Sequence, residues 1–453
     1  MVAGIKFHTN EGRIMQRSRR AAAASAAGFA LRALRSIAGL VCLVFAGAYQ
    51  LRVMTYFLPR LVADRHIWPA IYYGFWLIAV CTTLAVLAFR QDILKRTLPV
   101  LILCALASAL PFVHEIDQIT KIFFVAMGFF ACAAVLSVLV DPLTVLRISA
   151  LATVAGAVIC LVDVLFASGR AAGLSIAPNV AAAALLLGSS AAYLSIPARW
   201  LGYFLLIVGA ALFVTLSKST LLAACGIFAI VVIGNRLQRL RFPRFAWRPH
   251  TLVALGLVAW IGVALSTNDR FVFATSNAYR VFSNAVPASQ AARSTIEKAV
   301  TLASADPDVM PTEALIAEIG RRSETESDVN SISARWLLME RAWLVFKGEP
   351  FSGLGFASAY ALEPHNTFLL FMLAFGPIGL LVPLAFLAVI AYPAIRFKSI
   401  SLSALPMAAF AVLMTSHNML FDPGLLAPLA FGWAGAAVAG AALADQRTWP
   451  GSQ

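Results

Sequence analysis

The chain has 453 residues, of which 61% are hydrophobic and only 12% are charged, and its mean hydropathy is +0.84. A composition this apolar excludes an ordinary soluble protein. Apolar runs of about 20 residues, the length of helix that crosses a hydrocarbon layer of ~30 Å, recur along the sequence. Lipid admits only helices and closed barrels, and these runs lack the alternation of barrel strands. The sequence therefore predicts an all-α, polytopic transmembrane bundle.

The net charge of +14 does not indicate a nucleic-acid partner, because most of the basic residues fall in short loops between apolar runs. Positive charge in such loops marks the cytoplasmic side of a membrane. The six cysteines all lie inside apolar runs and form no CxxC pair, so they are interpreted as small core residues. No metal site and no cofactor is predicted.

In chain order, residues 1–35 are polar and basic and are predicted to form a cytoplasmic tail. Residues 36–266 contain nine predicted spans, residues 267–364 form a large external loop, and residues 365–453 contain three more spans. The tail is long for a secretory signal, which favours an uncleaved first span. The twelve predicted spans cover residues 36–51, 69–89, 97–113, 121–140, 148–168, 179–196, 200–216, 219–234, 250–266, 366–394, 403–420 and 424–444.

The loop at residues 235–250 gives the strongest orientation signal, because it carries five arginines and no acidic residue. It is therefore predicted to be cytoplasmic. Arg60 and Arg65, in a loop predicted to be external, depart from this pattern. Counting spans from a cytoplasmic N-terminus places the polar candidates Arg170, Lys218, His365 and His417 together on the external face.

Within the external loop, residues 290–303 and 311–322 have helical periodicity, and a third helix is predicted over residues 333–346. The third helix carries an aromatic-rich apolar stripe that suits the membrane interface. Its stripe consists of Trp336, Met339, Trp343 and Phe346.

Arg335-Trp336 opens this helix, and the motif that follows it runs from Pro350 through Gly353-Leu354-Gly355 to His365-Asn366. This order resembles the family of O-antigen ligases, Wzy-type polysaccharide polymerases and some protein O-oligosaccharyltransferases. Three upstream elements are also similar to the family pattern: Gly169-Arg170 with Gly173, Pro178-Asn179, and Ser217-Lys218-Ser219. The family often has arginine at the position of Lys218, and lysine loses the planar, two-pronged contact with phosphate.

The resemblance implies a metal-independent glycosyltransferase on the periplasmic face of a bacterial inner membrane. It would move a glycan from an undecaprenyl-pyrophosphate carrier to a hydroxyl of a glycan, lipid or protein acceptor. Such transfer belongs to O-antigen, lipopolysaccharide or exopolysaccharide synthesis. Arg170 and Arg335 are the candidates for holding the pyrophosphate, and His365 is the candidate general base. The candidate substrate-binding residues are Lys218, Arg293, Asn179, Asn366, Gly353, Gly355 and His417.

Several of these residues also fit structural roles. Asn179 and Asn366 both precede apolar runs and suit helix N-caps, and Arg335 suits an interfacial anchor. His417 lies at a span end, where turns need polar residues. The competing function classes are a flippase for lipid-linked glycans and a scaffold for envelope assembly. Asp163 is nearly the only charge well inside a span, which favours chemistry at one face over passage through the bundle.

Overall fold

The computed structural model describes residues 36–52, 129–137, 140–237, 247–276 and 331–445, apart from short gaps. The gaps fall at residues 37, 45, 131–132, 135, 168, 176, 273–274, 349, 417–419 and 421. Every regular element in this part of the chain is helical. The predicted all-α class is therefore confirmed for it.

Eleven α-helices are described. They are α1 (Pro142–Asp163), α2 (Pro178–Ala192), α3 (Ala198–Val214), α4 (Lys218–Leu237), α5 (Trp247–Thr267), α6 (Ser331–Gly348), α7 (Phe356–Ala361), α8 (Thr367–Phe375), α9 (Leu381–Arg396), α10 (Ala404–Thr415) and α11 (Pro423–Asp445). Shorter helical turns are the π-helical Ala46–Gln50 and the 3₁₀ segments Tyr193–Ser195, Gly376–Leu380 and Ser401–Ser403.

Three helical segments of the described chain are long and apolar enough to cross a membrane. They are Pro142–Asp163, His250–Thr267 and Thr367–Arg396, the last of which joins α8 and α9 through the 3₁₀ turn. Four shorter apolar helical stretches accompany them. The predicted spans at 69–89 and 97–113 lie outside the described residues, so the count of about twelve spans stays a prediction.

The boundaries of α1 differ from the prediction because of a capping signal in the sequence. The helix begins at Pro142, six residues before the predicted start, and ends at Asp163, five residues before the predicted end. Asp141 caps it by accepting a hydrogen bond from the Thr144 N–H at 3.1 Å, and Pro142 suits the first helical position. The segment 141–147, predicted to be a loop, is therefore mostly helix.

Small residues bring the central helices close together. A Cβ added to Gly432 of α11 would lie 2.6 Å from Cβ of Ala191 in α2, and one added to Gly435 would lie 2.6 Å from the Leu146 side chain of α1. Small residues at such contacts let helix backbones approach each other, which is how helices associate in lipid. On α5, in contrast, Leu252, Leu255 and Val258 are exposed, as expected of a face that meets lipid.

The segment before α8 folds back onto that helix. The Leu354 N–H donates to the Leu373 carbonyl at 2.8 Å, and the Gly355 N–H donates to the Ala374 carbonyl at 3.1 Å. These carbonyls lie in the last turn of α8, about 9–11 Å along the axis from its first residue. The last part of the predicted external loop is therefore packed well down the side of the bundle.

Candidate active site at one end of the bundle

Arg170 lies in the loop between α1 and α2 and is held by two other elements. Its Nε donates to the carbonyl of Thr215, just after α3, at 3.0 Å. Its Nη2 donates to Oδ1 of Asn179, in the first turn of α2, at 2.8 Å. Because Ala177 occupies the N-cap position of α2, Asn179 is not the cap, and that structural interpretation of the residue is wrong. Instead Asn179 orients the half-buried guanidinium.

The Ser217-Lys218 segment adjoins the partner of Arg170. Thr215 is fully buried, and Leu216 turns the chain with a φ of +50°. The Ser217 hydroxyl, also buried, lies 3.0 Å from that of Thr220. Lys218 follows as the first residue of α4 and is half-buried. The turn thus places Lys218 three residues from the carbonyl that binds Arg170.

His365 precedes α8 and has an unusual backbone conformation. Its φ is +47°, and the φ of Glu363, two residues earlier, is +46°. Left-handed conformations at residues other than glycine cost about 1–3 kcal/mol each and cluster at active sites. His365 itself and Glu363 both adopt this conformation, which supports a functional role for the turn.

Asn366 is the N-cap of α8, as one of its two predicted roles requires. Its side-chain oxygen accepts from the Leu369 N–H at 3.1 Å, and the residue is buried. The next residue, Thr367, donates from its hydroxyl to the carbonyl of Ser416 at 2.5 Å. Because Ser416 is extended, α10 ends at Thr415, five residues before the predicted end. The His365 turn is thereby fixed against the end of α10.

Gly353 and Gly355 both have positive φ values, of +70° and +78°. A Cβ on Gly353 would lie 2.5 Å from the carbonyl oxygen of Ala374. The pair therefore allows close approach to the backbone of α8. A contact of these glycines with substrate stays a prediction.

Arg335 lies in the first half of α6, seven residues before Ala342, which is fully buried. Seven residues are nearly two turns, so the two positions share one side of the helix. On the same helix, Arg341 has a buried Nε with no hydrogen-bond partner among the residues that the structure describes. Arg341 is a cation that sequence reasoning missed. Arg293 and His417 lie outside the described residues.

A buried ion pair joins the chain just after the Ala46–Gln50 turn to the residue just before α11. Arg52 is 2% exposed and donates from Nη2 to Oδ2 of Asp422, which precedes α11, at 2.5 Å. Arg52 also lines a small cavity with Ala172 and Ser175 of the Arg170 loop. This pairing is not predictable from local sequence, because its partners are 370 residues apart.

These contacts place Arg170 and His365 at the same end of the bundle. The Arg170 loop shares a cavity with Arg52, Arg52 pairs with Asp422, and Asp422 follows the end of α10. Ser416, directly after α10, accepts the hydrogen bond from the hydroxyl of Thr367. We call this end, defined by Arg52, Arg170, Asn179, His365 and Asp422, the polar rim.

Comparison with protein families finds a match to the O-antigen ligase family over residues 203–384. None of the curated proteins matches the chain. The matched region includes most of the candidate site residues, namely Lys218, Arg293, Arg335, Gly353, Gly355, His365 and Asn366. Arg170, Asn179 and His417 lie outside it; Arg170 donates a hydrogen bond to Thr215 within the matched region and a second one to Asn179.

Proposed function

We propose that the protein is a glycosyltransferase that uses a glycan linked to undecaprenyl pyrophosphate as its donor. The acceptor is a hydroxyl group of a glycan, lipid or protein, and the reaction takes place at the polar rim on the periplasmic face of the inner membrane. The match of residues 203–384 to the O-antigen ligase family model supports this class of reaction. The proposal places the protein in cell-surface or exopolysaccharide synthesis.

The observation that carries the proposal is the way Arg170 is held. Two of its hydrogen bonds go to a backbone carbonyl and a neutral amide, at 3.0 and 2.8 Å. These partners fix the guanidinium plane without neutralising its charge. A guanidinium held in a fixed plane suits a pyrophosphate, because arginine binds such a group through charge-assisted, two-pronged hydrogen bonds.

In the proposed reaction, the acceptor oxygen forms a bond to the anomeric carbon of the donor sugar. The bond between that carbon and the pyrophosphate oxygen breaks, and its electron pair leaves with the lipid pyrophosphate. Arg170 and Arg335 stabilise the charge on the leaving group, assisted by Lys218 and Arg293. His365 accepts the proton of the acceptor hydroxyl, because the ordinary pKa of an imidazole lies near neutrality.

Cleavage of the bond between the sugar and the pyrophosphate supplies the free energy of the transfer. The proposed reaction therefore requires neither ATP nor a metal. The chain has no GxxxxGK[ST] sequence, which is the usual phosphate-binding loop of ATP-dependent enzymes. Asn179 and Asn366 hold Arg170 and the His365 turn in place. Gly353, Gly355 and His417 are the remaining proposed contacts of the substrate.

The proposal is tested by reconstituting the purified protein in lipid vesicles with a radiolabelled undecaprenyl-pyrophosphate glycan and a hydroxyl acceptor. We expect transfer in the presence of EDTA and its loss, by about 100-fold or more, in Arg170→Ala, Arg335→Ala and His365→Ala. Arg147→Ala is the matched control, because Arg147 donates to the carbonyl of Ser195 near the opposite end of α1. Full activity in all three variants would exclude the mechanism.

Ligase and polymerase activities share donor and chemistry and are separated by the glycan profile of a deletion strain. Accumulation of single repeat units on the carrier identifies a polymerase, and full-length chains left on the carrier identify a ligase. Deletion of a flippase would instead leave its substrate on the cytoplasmic side. The reconstituted assay distinguishes it further, because a flippase forms no new glycosidic bond.

A further inference from the structure

Asp163 is in an unfavourable place for a carboxylate. It is the last residue of α1, where the helix dipole contributes partial negative charge, and it lies within a predicted membrane span. The buried ion pair between Arg52 and Asp422 does not involve Asp163. A charge kept at such a position calls for a specific role.

The contacts of Asp163 lie in the Arg170 loop. Its Oδ2 accepts hydrogen bonds from the N–H of Ala172 at 2.8 Å and from the N–H of Gly173 at 2.9 Å. Two successive N–H groups converge on one oxygen, an arrangement that binds anions. Gly173 has a φ of +57°, and a Cβ there would lie 2.9 Å from Sγ of Cys160. The loop therefore needs glycine to reach the carboxylate.

Two further contacts close the loop around Arg170. The Ala171 N–H donates to the carbonyl of Val214 at 3.2 Å. The side-chain amide of Asn268, which follows α5, donates to the carbonyls of Val164 at 2.7 Å and Ala167 at 3.0 Å. Asn268 thus fixes the loop before Arg170, and Asp163 fixes it immediately afterwards.

We propose that Asp163 is a positioning residue for Arg170. By holding the amides two and three residues after Arg170, it sets the point from which the guanidinium reaches Thr215 and Asn179. The inference rests on the proposed function and adds to it a residue that acts only through the arginine. Positioning of this kind has large kinetic effects, since a misplacement of about 1 Å can cost about 100-fold in rate.

The kinetic test compares Asp163→Ala with Asp163→Asn and Asp141→Ala in the reconstituted transfer assay. We expect Asp163→Ala to lower kcat/KM by about 100-fold, whereas the amide of Asp163→Asn retains an acceptor oxygen and most of the activity. Asp141→Ala is the matched control, because Asp141 caps the other end of the same helix. It should leave kcat/KM unchanged.

A double variant separates positioning from general stabilisation. If Asp163 acts through Arg170, then Asp163→Ala causes no further loss in an Arg170→Ala background. Losses that multiply in the double variant would overturn the inference. So would a fully active Asp163→Ala protein, a result that leaves the proposed function itself intact.

Hydrogen exchange tests the same positioning without any reaction. The amides of Ala172 and Gly173 should exchange at least tenfold faster in Asp163→Ala than in the wild type, while those of Asp141→Ala remain unchanged. Unaltered exchange at both amides would overturn the inference even if the protein proved to catalyse a different reaction. A wild type that lacks glycan transfer but shows the expected exchange would overturn only the proposed function.

Discussion

Arg170 and Asn179 are joined by a hydrogen bond of 2.8 Å from Nη2 to Oδ1, across the loop that leads into α2. The neutral amide orients the guanidinium without placing a negative charge beside it, where the pyrophosphate of the proposed donor would bind. A carboxylate in place of the amide would keep the geometry but compete with that ligand. The identity of residue 179 is therefore as important as its position.

Replacing Asn179 by aspartate tests this relationship. We expect Asn179→Asp to raise the KM for the lipid pyrophosphate donor by about 10- to 100-fold, because an ion pair would neutralise Arg170. Asn179→Ala should have the smaller effect, since it removes one hydrogen bond of about 1 kcal/mol but no positive charge. Donor titrations of the two variants measure the difference. A larger defect in the alanine variant would contradict the electrostatic explanation.

Arg170→Lys separates charge from geometry. Lysine keeps the positive charge but cannot contact Thr215 and Asn179 with the two arms of a planar group. We expect kcat/KM to fall by at least about tenfold, corresponding to one lost charge-assisted hydrogen bond. Steady-state kinetics with matched expression levels give the measurement. Wild-type activity in Arg170→Lys would show that a point charge is sufficient.

The ion pair between Arg52 and Asp422 is expected to stabilise the bundle. Arg52 is almost fully buried, so removing its partner leaves a buried charge, at a cost of about 3–5 kcal/mol. Asp422→Ala also loses the hydrogen bond to the Gly424 N–H. Thermal unfolding in detergent should show a lower midpoint for Asp422→Ala and a smaller loss for the double variant Arg52→Met/Asp422→Leu. Equal midpoints for wild type and Asp422→Ala would show that the pair contributes little.

Gly353→Ala is predicted to disrupt the contact between residues 350–355 and α8. The new Cβ would lie 2.5 Å from the Ala374 carbonyl oxygen at a φ of +70°, which costs at least about 1–3 kcal/mol. Gly209→Ala in α3 is the matched control, because nothing lies within 4 Å of a Cβ there. Unfolding midpoints of the two variants should differ clearly. If both match the wild type, the backbone contact at Gly353 is not tight.

Apolar runs and helical periodicity are sufficient to predict most of the described helices. The structure begins α2, α3 and α4 within two residues of the predicted spans and extends the predicted helix 333–346 to Ser331–Gly348. The start of α1 was predicted too late, although Asp141 and Pro142 form a recognisable cap. Local sequence thus specifies where a helix lies, provided that its cap is included.

The contacts between distant segments were not predictable from one sequence. Nothing in the residues around Arg52 indicates Asp422, and nothing near Asn268 indicates the carbonyls of Val164 and Ala167. Such pairs depend on how the helices pack. Asp163 did give a signal, because a charge inside an apolar run is costly, but the sequence does not show which backbone amides it binds.

The most direct test of the account is whether the predicted catalytic residues face the same side of the membrane. Single cysteines at positions 170, 335 and 365, placed in a background without the six native cysteines, are treated in intact cells with a membrane-impermeant maleimide. A control cysteine at position 147 monitors the opposite end of α1. The account predicts labelling at 170, 335 and 365 from the periplasm and none at 147. Protection of any one of the three in intact cells, with labelling only after the inner membrane is permeabilised, would contradict it.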